Sequence, residues 1–261
     1  MLTRYAPSPT GHLHLGHVAN AIYVWGMARA ADGRVLLRME DHDRIRCRPK
    51  YEASILDDLA WLGFVPDEGL HPLVRQSDRD QIYRDALERL RQTHHVYFCD
   101  CSRKRIAGEE YDGFCRARGL VDGPGCGLRV QMDNGGDLLL RDRDRHWTYH
   151  FAVTVDDIEQ GITHIIRGED LLSSTERQLQ LRRMLGVAAS PVYVHHPLIL
   201  KPNGEKLSKS AGDTGVRELR DAGVSAADVI GRAAAAVELI DRVRSIAARD
   251  VRTLFRVLPL T

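Results

Sequence analysis

Arg4-Tyr5-Ala6-Pro7-Ser8-Pro9-Thr10-Gly11-His12-Leu13-His14-Leu15-Gly16-His17 is the stretch that decides the fold. Leu2 to Ala6 reads as a short strand, ended by the Pro/Ser/Gly run at 7–11. A helix is predicted to start near His14 and to carry Ala19, Ile22, Tyr23, Trp25 and Met27 towards Asp32-Gly33. Val35 to Glu40 is an apolar run of strand length, and helices are expected over about 50–62 and 78–92. A strand–helix–strand–helix opening predicts an α/β protein with a parallel sheet.

Outward from this opening the rhythm breaks and then returns. Residues 95–145 hold clustered cysteines, Gly123-Pro124-Gly125-Cys126-Gly127 and short strand-like runs, and read as an insert. Strands are expected at 149–155 and 162–167, a helix at 174–185 with Ser173 and Glu176 as a capping box, and a strand at 192–200. Residues 211–261 are helical in pattern, with Ala233 to Ala236 a helix-former run. The expected organisation is therefore 1–94 and 146–210 as two halves of one catalytic domain, 95–145 as the insert, and 211–261 as a helical tail.

A second stretch answers the first. Glu205-Lys206-Leu207-Ser208-Lys209-Ser210 sits in a loop behind Pro202-Asn203-Gly204. Only five of the 37 basic residues are lysine, and three of those five fall between 201 and 209. Lysine is a compact charge on a flexible stem, whereas arginine is a rigid fork. Lysines kept in so arginine-rich a chain suit groups that track a moving phosphate. Lys206 and Lys209 can grip the β- and γ-phosphates of a nucleotide and neutralise departing pyrophosphate. No Walker A loop is present.

In open parallel sheets ligands gather at the carboxyl ends of strands, and the N-terminus of a helix favours an anion. His14 and His17, three apart, share a helix face, and Gly16 between them leaves room for close approach. Two histidines at this spacing with no nearby carboxylate make a poor zinc site. The expectation is one nucleotide site assembled from both halves of the chain.

Composition sets the outer limits. At 261 residues, 43% hydrophobic and 28% charged, the chain fits a globular protein of one large domain, or one domain with an insert. The formal charge of +1 leaves any nucleic-acid contact to local patches, and Arg141 to Arg145, alternating with Asp, reads as a solvated turn. No apolar run is long enough to span a bilayer and the first residues lack a signal-peptide core, so a cytoplasmic location is expected. Five cysteines, three between 99 and 115, favour a metal site over a disulfide framework. Cys99, Cys101 and Cys115 are the candidate zinc ligands. The spacing leaves the fourth open among Cys126, His94, His95 and water.

The segment from Pro7 to His17 resembles the first signature of class I aminoacyl-tRNA synthetases, and Lys206-Leu207-Ser208-Lys209-Ser210 resembles the second. Arg4 to Gly11 and Arg167-Gly168-Glu169-Asp170-Leu171-Leu172 resemble the glutamyl/glutaminyl branch. The resemblance covers about residues 3–210 and implies a Rossmann-like catalytic core whose parallel sheet is split by a zinc-bearing insert. It further implies that His14, Gly16, His17 and Lys209 bind ATP, and that His14, His17, Lys206 and Lys209 act on the adenylyl transfer. Arg4, Tyr5, Ala6, Pro7, Ser8, Glu40, Tyr149 and Arg167 would form the glutamate site, with Glu40 on the α-ammonium. Mg²⁺ would travel with ATP, and Tyr111 would join the three cysteines on structural Zn²⁺.

Only 51 residues come after the second signature, too few for the anticodon-reading region of full glutamyl-tRNA synthetases. The chain is therefore similar to the shortened glutamyl-queuosine tRNA(Asp) synthetase family. That resemblance implies glutamate activation without RNA, transfer to queuosine in tRNA(Asp), and a monomer. The alternatives are a truncated synthetase charging the tRNA 3′ end, a paralog that binds without chemistry, and an adenylyl-transferring enzyme of the wider nucleotidylyltransferase group.

Overall fold

The computed structural model describes residues 1–106, 110–200 and 215–255. In chain order these form β1 (Leu2–Tyr5), α1 (Leu15–Ala30), β2 (Arg34–Met39), α2 (Pro49–Leu62), β3 (Val74–Arg75), α3 (Asp80–Thr93), β4 (Val96–Cys99), α4 (Arg103–Ile106), β5 (Gly127–Val130), β6 (Leu138–Arg141), α5 (Tyr149–Glu159), β7 (His164–Gly168), α6 (Thr175–Met184), β8 (Val192–His196), α7 (Val216–Asp221) and α8 (Ala226–Ala236). A 3₁₀ segment spans Ala248–Leu254. The chain divides into two units, one of residues 1–75, 162–172 and 191–261, the other of 76–161 and 173–190. Among the described residues no helix is long and apolar enough to cross a membrane.

The first unit is the expected parallel α/β arrangement. β1 pairs with β2 and β2 with β3, all parallel, and β7 pairs with β8 in the same sense. The Thr163 amide donates to Leu2 O at 3.0 Å, which sets the start of β7 beside β1. β2 is buried from Val35 to Met39, as a strand covered on both faces requires. α1 buries Val18, Ala21, Ile22 and Trp25 in a core shared with Ile55 and Leu59 of α2 and Val229, Ile230 and Ala233 of α8. Gly26 permits the close approach of Phe255, just after the 3₁₀ segment. A Cβ there would lie 2.1 Å from the Phe255 ring.

The second unit is built on an antiparallel sheet, β4–β5–β6. Tyr83, Leu87 and Leu90 of α3 pack with Leu128, Val130, Leu138 and Leu140 of the sheet and with Phe151 and Val155 of α5. The stretch 95–145 read as an insert is the middle of this unit, which also takes in α3, α5 and α6.

Two local expectations are overturned. Residues 149–155, expected as a strand, belong to the helix α5. Their aromatic and β-branched side chains favour strands locally, but Phe151, Ala152 and Val155 fall on one helical face that completes this core. Tertiary burial outweighs propensity. Ser173 and Glu176 do not form a capping box either. The N-cap of α6 is Ser174, without a side-chain cap bond, and Glu176 pairs with Arg183 at 3.0 Å.

Candidate active site

The turn from β1 into α1 is closed by its own histidines. His14 is the N-cap, and its Nδ1 accepts from the Gly16 amide at 3.1 Å. His17 Nδ1 accepts from the His14 amide at 3.1 Å. The two rings lie 3.8 Å apart, centroid to centroid. An Nδ1 that accepts carries no proton, so each neutral ring holds its hydrogen on Nε2. The cap thus sets both tautomers and places two ring Nε2–H groups beside the start of α1, where the helix also offers partial positive charge. The room at Gly16 is taken up by His14, since a Cβ at Gly16 would lie 3.0 Å from that ring.

Lys206 and Lys209 lie outside the described residues. The backbone at Gly215 and Val216, a few residues further along, is tied to the His14 turn. Gly215 forms an isolated antiparallel bridge with His14, and the Val216 amide donates to Leu13 O at 2.9 Å.

Three of the expected glutamate-site charges arise on adjoining elements of the first unit. Arg4 is on β1, Glu40 just past the end of β2 and Arg167 on β7, and they are only 4%, 7% and 3% exposed. Charges this deep require fixed partners. Arg4 Nη1 donates to Ile166 O at 3.3 Å. Arg167 donates to His195 Nε2 at 3.2 Å and to Leu171 O at 3.0 Å, and lies over the Tyr193 ring at 5.0 Å. Glu40 accepts from Arg38 at 3.0 Å, and its amide donates to Pro7 O at 3.0 Å. Ser8 Oγ is 3.8 Å from Cys47 Sγ. Ala6 is half-buried and Pro7 buried. Tyr5 sits in the core, its ring against Trp25 and its hydroxyl donating to His17 O at 3.2 Å. Burial raises the Tyr5 hydroxyl, with Asp58 adding to the effect, so it stays a donor and braces the first turn of α1. Tyr149 opens α5 in the second unit, where it lines a cleft of about 600 Å³ with Arg129, His150, Ser174 and Arg177.

Sequence reasoning missed Arg38 and His195. Arg38 is fully buried and holds one oxygen of Glu40, leaving the other for a cation. Its signal was a charge inside an otherwise apolar strand. His195 is pushed below its ordinary pKa by burial, then by Arg167 and His196. Its neutral Nε2 can therefore accept from Arg167. Only the adjacent pair His195-His196 hinted at it.

In the second unit Cys99, Cys101 and Cys115 hold their sulfurs within 4.8 Å of one another. The Tyr111 hydroxyl lies 3.4 Å from Cys99 Sγ and 3.7 Å from Cys101 Sγ, and Cys101 Sγ lies 3.6 Å from Cys115 Sγ. Tetrahedral zinc with ligand bonds of about 2.3 Å places its sulfurs roughly 3.8 Å apart, so this donor set fits the metal. Neither Cys126, His94 nor His95 belongs to the group. Burial raises the Cys99 thiol, but bonds from Tyr111, the Cys101 amide and Arg129 outweigh it and bring the thiol below its ordinary value.

These features meet those of known proteins. The profile of the family described as tRNA synthetases class I (E and Q), catalytic domain, matches residues 1–114 and 126–230. The chain belongs to this family. Relatives of the synthetase include a glutamyl-Q tRNA(Asp) synthetase of Rhodobacter capsulatus, 41% identical, with the match covering 88% of this chain and 98% of the relative. A glutamate–tRNA ligase of Frankia casuarinae is 39% identical over 84% of the chain but only 52% of its own length. The synthetase thus spans about half the length of such ligases. Among solved structures, a glutamate-tRNA synthetase from Elizabethkingia anophelis superposes with a TM-score of 0.77 at 27% identity, over 98% of this chain and 65% of that one.

Proposed function

We propose that the chain activates L-glutamate with ATP, without RNA, and passes it to the queuosine base of tRNA(Asp). The observation that carries this reading is the pair of capping imidazoles, His14 and His17, at the N-terminus of α1, beside which Gly215 bridges His14. Relatives named glutamyl-Q tRNA(Asp) synthetase, 41% identical over 88% and 81% of this chain, favour queuosine as the acceptor.

In the first step a glutamate α-carboxylate oxygen attacks the α-phosphorus of ATP, and the bond to the β-phosphate oxygen breaks. Glutamyl-adenylate forms and pyrophosphate leaves. The Nε2–H groups of His14 and His17 stabilise charge on the phosphoryl oxygens, and Lys206 and Lys209 neutralise the pyrophosphate. Mg²⁺ enters with ATP. Glu40, aligned by Arg38, receives the α-ammonium, while Arg4 and Arg167 take the side-chain carboxylate. Donors fixed on that carboxylate reject glutamine, whose amide NH₂ would face them. In the second step a queuosine hydroxyl attacks the glutamyl carbonyl, loses its proton, and AMP departs.

Cys99, Cys101, Cys115 and Tyr111 would hold zinc in this reading, and the metal would supply a structural tie to a segment whose small core among the described residues is built on Tyr97, Cys99, Tyr111 and Cys115. The enzyme works in the cytoplasm as a monomer. Glutamate-dependent ATP–pyrophosphate exchange with no RNA present tests the first step, and its absence with every amino acid overturns the proposal. Labelled glutamate tests the second. Transfer to tRNA(Asp) lacking queuosine would establish charging of the 3′ end instead.

A further inference from the structure

Phe114 is 48% exposed although it directly precedes the buried Cys115. The turn that carries the ring is held by its own bonds. The Phe114 amide donates to Asp112 Oδ1 at 3.0 Å. Gly113 adopts φ +79°, and a Cβ there would lie 2.5 Å from the Arg116 guanidinium. Arg116 grips Asp137 with two bonds of 2.6 Å, and Arg118 grips Asp100 at 2.6 and 3.1 Å. An apolar ring is thus held in water on a hydrogen-bonded turn, which lowers the ordering a partner must impose.

The ring is also dressed with cations. The Arg105 guanidinium lies over it at 3.8 Å and that of Arg118 at 5.1 Å. Arg116 and Arg118 are neutralised by their carboxylates. Arg105 and Lys104, both exposed, form no ion pair among the described residues. The nearby acids Glu110 and Asp112 stand apart in role. Asp112 caps its own turn, and Glu110 Oε1 lies 3.7 Å from the Cβ position of Gly135, where Arg177 also reaches.

An aromatic–guanidinium stack beside exposed cations that pair with no carboxylate among the described residues matches an unpaired nucleobase flanked by phosphates, because bases stack on both kinds of plane and the backbone is anionic. We propose that Phe114, Arg105 and Lys104 form a docking surface for a looped, single-stranded RNA segment. The surface takes one splayed base and its adjoining phosphates. This rests on the reading of the chain as an enzyme that acts on tRNA.

The test uses the full chain with Phe114→Ala, Phe114→Trp and Arg105→Gln. Metal content and pyrophosphate exchange without RNA should match the parent in all three. In glutamate transfer to queuosine-bearing tRNA(Asp), Phe114→Ala should raise KM for RNA about tenfold with kcat little changed, and Phe114→Trp should restore it. Arg105→Gln should reduce the salt dependence of RNA binding. Binding of a fluorescent anticodon stem-loop, measured separately, reports on the surface even if no transfer occurs. A failed function reading and a failed surface therefore remain distinct. Unchanged RNA affinity in Phe114→Ala overturns the proposal, as does a change confined to self-association, which would mark the ring as a protein contact.

Discussion

Asp58→Asn tests how a buried charge beneath the first signature loop is tolerated. Asp58 lies on α2 with no exposure, its Oδ2 3.5 Å from Ser54 Oγ, which is itself 2.7 Å from His12 Nδ1. Its Oδ1 has no hydrogen-bond partner among the described residues. Burial raises this carboxyl from 3.8 to about 6, against the pull of Arg217 and Arg220 and with the push of Asp57. Because the folded value is the higher one, the folded state holds the extra proton between those two values. Stability is therefore lost as pH rises through that window, and the whole deficit is present above it. A shift of about two units at ~1.4 kcal/mol each gives roughly 3 kcal/mol. Relaxation and water around the neighbouring arginines reduce the recoverable part to about 1–2 kcal/mol. Asparagine keeps the shape and removes the charge. Urea unfolding monitored by Trp25 and Trp61 fluorescence should show Asp58→Asn more stable by that amount at pH 8. At pH 4 the gain should shrink below about 0.5 kcal/mol. A loss of stability at pH 8, or an equal gain at both values, would refute the reasoning.

Lys209→Ala should lower the exchange rate at least 100-fold, about 2.7 kcal/mol, while the glutamate KM stays within a few-fold, and unchanged turnover would remove the lysine from the site. Arg38→Met leaves Glu40 buried without its cation, a change of about 3–5 kcal/mol for such pairs. It should raise the glutamate KM more than tenfold, with Arg38→Lys recovering part of the effect. Stripping bound metal with a chelator should expose three additional maleimide-reactive thiols, Cys99, Cys101 and Cys115, and loosen the second unit in hydrogen exchange. Unchanged thiol reactivity would mean the cluster holds no metal.

The parallel order of the first unit was legible because β1, α1, β2 and α2 each carry a local signal that agrees with their burial. α5 was not legible. Its Tyr149-to-Val155 run reads as a strand in isolation, and only the apolar faces of α3 and the antiparallel sheet show which residues need covering. The cysteines were visible as a cluster from spacing. The position of the Tyr111 hydroxyl beside their sulfurs depends on the fold between Cys101 and Cys115, which spacing does not encode. Arg38 and His195 escaped for a related reason. Each acts by aligning another charged side chain, Glu40 or Arg167, and that role leaves no pattern along the chain until the strands are set side by side.

The capping histidines join fold and chemistry most directly. An ordinary capping box uses a hydroxyl at the N-cap and a carboxylate three residues on. A carboxylate at that second position would set a negative charge where a triphosphate must come. Imidazole avoids this conflict, because Nδ1 accepts the backbone hydrogen while Nε2–H remains a donor. In the proposed function the same two rings start the helix and furnish the site, through different atoms. His14→Asn separates the two roles. Asparagine ranks among the best N-caps, so stability should change by less than about 0.5 kcal/mol. It cannot supply the far ring N–H, and the loss of one such donor lowers rates by about 10²–10³. Pyrophosphate exchange should fall by that factor while the unfolding midpoint stays put. If the rate survives, the Nε2 donor is not what the nucleotide uses. If rate and stability fall together, cap and donor are not separable and the tautomer argument fails.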